Sequence, residues 1–203
     1  MRVDHAARRL EIVMRAMKLF SQFGYDNVTF LMIAEACGLA RTVIYRDFRS
    51  KREVLDAAIR ANADIIMQGC AAVVATDLDL GEKLKRIGAQ VTDYLFGKRE
   101  FLTVLYDFVL AMNRAGEDMG AKVFAFTQTI RRTLRDLIEA GIKAGVFPKG
   151  TDSNQVTEIF VAELESTTLR IVLGMERSSQ AATRRFARLV DAFTASPSLS
   201  LVK

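Results

Sequence analysis

Apolar side chains in this chain return at helical spacing almost from end to end. Over residues 2–23, Ala6, Leu10, Val13, Met17 and Phe20 recur at steps of three and four, which places them on one helical face. The same period, broken by glycines, continues over roughly 51–75, 81–96, 99–114, 118–144, 152–174 and 179–194. Only 2 Pro and 12 Gly interrupt the 203 residues, while Ala, Leu, Arg, Glu and Met are plentiful. These side chains lose little rotamer freedom in a helix, so an all-α fold is expected. Half of the residues are hydrophobic, enough for a substantial core. There is no internal repeat or low-complexity segment, so a solenoid is not expected.

The first quarter has finer punctuation. Gly24 ends the first helix, and after the turn 24–27 Thr29 is placed to cap a short second helix over 30–36. Val28 and Ile33 have the spacing of a hydrophobic staple around that cap. Cys37, Gly38 and Leu39 supply a tight break whose glycine can take a positive φ, and a very short third helix follows over 40–46. Ser50 and Glu53 then have the spacing of a capping box, which starts a fourth helix. The division expected is a three-helix head over 1–50 and a helical body over 51–203, with Asp152 and Gln155 marking another helix start.

Charge is divided along the same line. Residues 1–52 hold 10 Lys and Arg against 5 Asp and Glu, whereas residues 53–203 hold 19 of each, so the whole net charge of +5 lies in the first quarter of the chain. A basic head on a neutral body fits a polyanion, because Lys and Arg gain affinity by releasing phosphate counterions. A solvated basic surface is the plainer reading of the same numbers. Cys37 and Cys70 are isolated and suit a reducing compartment. No signal pattern opens the sequence, and no uninterrupted apolar run approaches the ~18 residues of a membrane span. A soluble, cytoplasmic protein without a membrane partner is expected. Nothing resembles a catalytic or cofactor site: the single His5 lies near the start, and the acidic residues lack metal-ligand spacing. No enzyme activity, metal or cofactor is expected.

The informative stretch is Thr29 to Leu55. Ile33, Ala34, Leu39, Val43, Ile44 and Phe48 can form a small apolar core, which leaves Arg41, Thr42, Tyr45 and Arg46 on the exposed side of the third helix. The major groove of B-DNA accepts a helix, Arg can bond a guanine edge in a bidentate manner, and Thr can reach a base or a thymine methyl. Plainer readings stay open: Tyr45 as a core aromatic with a wet tip, Arg41 and Arg46 as surface charges, Thr29 as a cap alone, Lys51 as a first-turn surface lysine.

Thr29, Ile33, Ala34, Gly38, Leu39, Ile44, Tyr45, Phe48, Ser50, Lys51 and Leu55 together resemble the DNA-binding signature of the TetR/AcrR-type transcriptional regulators, with Cys37 where that family usually has Ala. The resemblance is strong over about residues 8–56 and weaker beyond. It implies an N-terminal helix-turn-helix followed by a helical regulatory and dimerisation domain. By position, Thr29, Tyr45 and Lys51 resemble phosphate contacts, and Arg41, Thr42 and Arg46 occupy positions that face base edges. The sequence departs from the pattern at Ala40, where Ser or Thr is common, at Thr42, where Gly is frequent, and at Asp47, where His or Tyr usually precedes the Phe. A carboxylate near phosphates would repel them. Asp47 is therefore expected to pair with Arg46 or Arg49, or to accept from a cytosine amino group, and no phosphate role is carried over to it.

The resemblance further implies that the body holds a small-molecule effector and forms a homodimer. Phe101, Leu105, Phe108 and Met112 lie on one helical stripe, with Tyr94, Phe124 and Phe126 near it in sequence. Such a stripe is either core or the lining of a pocket for a largely apolar or aromatic effector. Glu163 and Glu165 interrupt an apolar helix, facing solvent, meeting a cationic effector, or pairing with Arg170 across a dimer. In the family the helices corresponding to about 118–144 and 152–174 pack against their symmetry mates, which implies a twofold dimer. The function implied is a ligand-released repressor on a pseudo-palindromic operator. The alternatives are a DNA-binding regulator with no small effector, and a helical ligand-binding protein.

Overall fold

The computed structural model describes residues 5–194, the side chains of 119–126 excepted. Among the described residues all regular structure is helical: α1 (His5–Phe23), α2 (Phe30–Cys37), α3 (Arg41–Asp47), α4 (Lys51–Val74), α5 (Leu80–Phe96), α6 (Arg99–Arg114), α7 (Met119–Lys143), α8 (Ser153–Val172) and α9 (Ser179–Thr194). From α2 on, these bounds fall within a residue or two of the spans read from periodicity.

Local chemistry explains the boundaries. The Thr29 hydroxyl accepts from the Met32 N–H at 3.3 Å, and Val28 and Ile33 are both buried beside it. Ser50 accepts from the Glu53 N–H at 3.1 Å, while the Glu53 carboxylate reaches past Ser50 to the Arg49 N–H at 2.8 Å. The expected capping box thus forms with its return bond shifted by one residue. Asp79 and Asp152 cap α5 and α8 in the same way, and Asp152 accepts from both Asn154 and Gln155 N–H groups.

The chain divides into two compact bodies, one made of residues up to Ile65 with Glu100–Met119, the other of Ile66–Arg99 with residues from Gly120 on. The first body is therefore larger than the expected head of residues 1–50. Its apolar core draws on Ile12 and Phe20 of α1, Ile33 of α2, and Ile44 with Phe48 around α3, and it is completed by Leu55 of α4 and by Val104 and Phe108 of α6. Tyr25 sits between two rings of this core, its centroid 5.1 Å from that of Phe20 and 4.9 Å from that of Phe108. Burial of α6 side chains in the head's own core is what moves the division away from residue 50.

In the second body α5 meets α9 where Gly88 faces the ring of Phe186. A Cβ at Gly88 would lie 2.1 Å from Phe186 Cδ1. Phe186 in turn packs on Phe160 of α8, with ring centroids 5.4 Å apart. Gly141 near the end of α7 likewise receives the ring of Phe147. Among the described residues α4 alone has the length and mean hydropathy, 1.2 over 18 residues, that would suffice to cross a bilayer. Its first turns bury Val54, Leu55 and Ala58 in the core of the first body, while 17 % of the apolar window as a whole is buried.

Candidate nucleic-acid interface

The turn between α2 and α3 is built by Gly38. Its backbone takes φ 64° and ψ 31°, so that the Gly38 N–H reaches the Glu35 carbonyl at 3.1 Å and the Leu39 N–H reaches that of Ala34 at 2.9 Å. This paired closure requires a left-handed residue, which glycine adopts without a Cβ penalty. The chain then starts α3 at once, from an extended Ala40 whose side chain offers no cap.

On α3, Ile44 is fully buried and Phe48 just beyond it has no exposure, whereas Arg41, Thr42, Tyr45 and Arg46 are exposed. The four side chains expected at a groove thus share the outward side of one short helix. Arg41 Nη2 donates to the Tyr45 hydroxyl at 3.0 Å, and its guanidinium stands 5.3 Å from the centre of that ring. The ring also meets Phe30 edge-on at 4.8 Å. Tyr45 is 46 % exposed, so it is an anchored surface aromatic rather than a core one.

Lys51 is held differently. Its ammonium donates to the carbonyls of Tyr25 at 2.8 Å and Asp26 at 3.1 Å and lies 4.8 Å from the centre of the Tyr25 ring. It straps the start of α4 to the turn before α2. Burial pulls its pKa below the ordinary lysine value, with the charge of Asp26 opposing. An ammonium has three donors, and two are engaged here.

Asp47 departs from expectation. It points inward, with its side chain wholly buried, and accepts a fork from Arg8: Nε to Oδ2 at 2.7 Å and Nη2 to Oδ1 at 3.1 Å. His5 Nε2 lies 3.1 Å from Oδ1, and the Arg9 guanidinium donates to the Asp47 carbonyl oxygen. The expected neighbour Arg46 is only at the margin, Nε to Oδ1 3.8 Å. Hydrogen bonding from Arg8 holds the carboxyl below its ordinary 3.8 despite burial, and the charges of Arg8, His5 and Arg46 add to the effect. Arg8 and Arg9 were not singled out by sequence. Their one signal was position in the basic first helix, and the residue they serve lies 39 and 38 positions away.

The residues considered for an effector divide between the two bodies. Phe108 is buried in the core of the first body, with Phe101 and Met112 packed against it and Leu105 half-buried on the same helix. Tyr94 belongs to the second body, half-buried, with Lys98 Nζ 5.5 Å from its ring centre and its hydroxyl pKa raised by burial. Phe124 and Phe126 lie outside the described side chains. Glu163 pairs within its own chain, at 3.1 Å with Arg185 Nε, and accepts from Thr167 at 3.3 Å. Glu165 is exposed and 3.1 Å from Arg131. Arg170 lies 3.5 Å from buried Glu176, which Arg185 also reaches at 2.7 Å. Glu163 and Arg170 stand out in the sequence, whereas Glu176 and Arg185 do not, because they come from the loop after α8 and from α9.

The family described as bacterial regulatory proteins, tetR family, matches residues 12–58, the stretch that holds this geometry. Over those residues the chain is similar to the TetR family. Over 62 residues it is 36 % identical to the HTH-type transcriptional repressor Rv1474c of Mycobacterium tuberculosis, a match that spans 30 % of this chain and 33 % of that repressor. Over 151 residues it is 24 % identical to the HTH-type transcriptional repressor KstR2 of Rhodococcus jostii, spanning 72 % of this chain and 71 % of that one. The fold of this chain is shared with the fatty acid degradation regulator FadR from Bacillus halodurans at a TM-score of 0.76, with 18 % identity over 90 % of this chain and 94 % of that one. The ketosteroid transcriptional regulator KstR2 of Mycobacterium tuberculosis superposes at 0.67, with 19 % identity over 92 % and 95 % of the two chains.

Proposed function

We propose that this chain is a ligand-responsive transcription repressor that reads a pseudo-palindromic operator as a homodimer. The observation that carries the reading is the outward side of α3, where Arg41, Thr42, Tyr45 and Arg46 are exposed while Ile44 and Phe48 hold the helix to the core. In this reading α3 lies in the major groove. Arg41, Thr42 and Arg46 meet base edges, and Thr29, Tyr45 and the remaining donor of Lys51 meet phosphate. Two such heads fit successive major grooves about 34 to 36 Å apart.

A dimer is supported by the end of α8, where Leu169 and the C-cap residue Leu173 are 43 % and 61 % exposed, four residues apart. The ligand would act by preferring a state whose heads no longer match the operator, with a coupling of about 1 to 3 kcal/mol. Relatives named for ketosteroid regulation and fatty acid degradation favour a largely apolar effector. A regulator without a small effector is the second reading, favoured by the packing of Phe101, Phe108 and Met112 into the head's core.

Selection of bound duplexes from a randomised library, followed by titration at two salt concentrations, tests the function. Enrichment of a pseudo-palindrome, with salt-sensitive binding that collapses in Arg46→Ala, is the expected result. No enrichment, with only weak salt-sensitive binding, would remove sequence reading from the head.

A further inference from the structure

Among the described residues of the first body, Asp47 is the one buried charged side chain. The stability of α3 itself does not account for a carboxylate there, because the C-terminal end of a helix carries partial negative charge and favours cations. The carboxylate is held from outside α3, by the N-terminal end of α1. Arg8 grips both its oxygens, His5 touches one of them, and Arg9 donates to its carbonyl while stacking 4.1 Å from the centre of the Phe48 ring. A fork fixes orientation as well as distance. Arg46, the neighbouring residue in the chain, is left 63 % exposed, whereas Arg8 is only 14 % exposed.

We propose that Asp47, with Arg8 and Arg9, is a positioning clamp that sets the angle of α3 for sequence readout, and that these two arginines therefore do not serve as phosphate contacts. The clamp rests on the DNA-reading function proposed above. α3 has 7 residues and no side-chain cap at its start; Ile44 and Phe48 bury one side of it, and the contacts of Asp47 fix its far end. A tilt at residue 47 passes directly to Arg46, and base-edge hydrogen bonds tolerate little displacement.

The test uses the full chain, the operator selected from the library, and a scrambled duplex of equal length, titrated across several salt concentrations. Asp47→Asn and Arg8→Gln are each expected to weaken operator binding about tenfold while leaving scrambled-duplex binding and the salt slope unchanged. The double variant should be no worse than either single one, because both remove one contact. Loss of Arg8 that weakens both duplexes equally and flattens the slope by about one would make it a phosphate contact and overturn the clamp. An unmoved ratio of operator to scrambled affinity in Asp47→Asn would overturn it too. Arg8→Lys keeps the charge but not the fork, so it carries the same expected loss should Asp47→Asn fail to fold. All titrations are run well below each variant's melting midpoint, where a merely structural role leaves the ratio in place. A wild-type chain with no operator preference would instead overturn the DNA-reading function, and the clamp's purpose with it.

Discussion

Gly38 shows what a single residue contributes to the helix-turn-helix. A Cβ added there meets nothing within 4 Å, so the cost of a substitution is the left-handed backbone alone. Gly38→Ala is expected to lower stability by about 1 to 2 kcal/mol, and Gly38→Asn by less, as Asn tolerates this conformation better. Urea denaturation with unchanged slope would check it. The glycine was legible in the sequence because its effect is local. The partner of Asp47 was not, since proximity along the chain favours Arg46 and Arg49 whereas the fold delivers Arg8. The charge of Asp47 also gives a pH signature. Its folded pKa lies below the ordinary 3.8, so its stabilisation is complete above that value and is lost as pH falls through the lowered one. The stability gap between the wild type and Asp47→Asn is therefore expected to hold near neutrality and to close below about pH 4. Urea midpoints that stay equally far apart in strong acid would show that the charge of Asp47 is not the source of the gap.

At the scale of helices, boundaries were legible because caps and glycines act within a few residues. Thr29, Ser50 and Asp152 each close the N-terminus they were expected to close. Close approaches between helices were not legible. Gly88 reads as an ordinary interior glycine, mildly unfavourable to a helix. Its reason lies on α9, where the Phe186 ring occupies the space a Cβ would take. Gly88→Ala is expected to destabilise the second body by about 1 to 3 kcal/mol, because a well-packed aromatic ring must shift. Phe186→Leu in the same chain should recover part of that loss, so the pair should be non-additive in thermal melts. Strict additivity would mean the ring moves aside at no cost.

The division of the whole chain is set by side chains rather than by sequence order. A boundary at residue 50 follows from charge and from the motif, yet the head's core continues into α6, far along the chain. Val104 and Phe108 are 3 % and 1 % exposed within the same cluster as Ile12, Phe20, Ile33 and Ile44. Tyr25 bridges the two parts, with its ring against Phe108 and its carbonyl under Lys51. Arg52 and Glu117 add an ion pair at 2.8 Å between the first turn of α4 and the segment after α6. A helix-turn-helix cut from this protein at residue 75 keeps the motif but exposes the face that α6 covers. Such a fragment is expected to melt without a cooperative transition, whereas the full chain melts cooperatively. Phe108→Ala in the full chain should cost about 3 to 5 kcal/mol and speed amide exchange in α2 and α3, although residue 108 lies outside the motif. A fragment that melts sharply, or a Phe108→Ala chain whose α2 and α3 amides exchange as in the wild type, would show that the helix-turn-helix folds without α6.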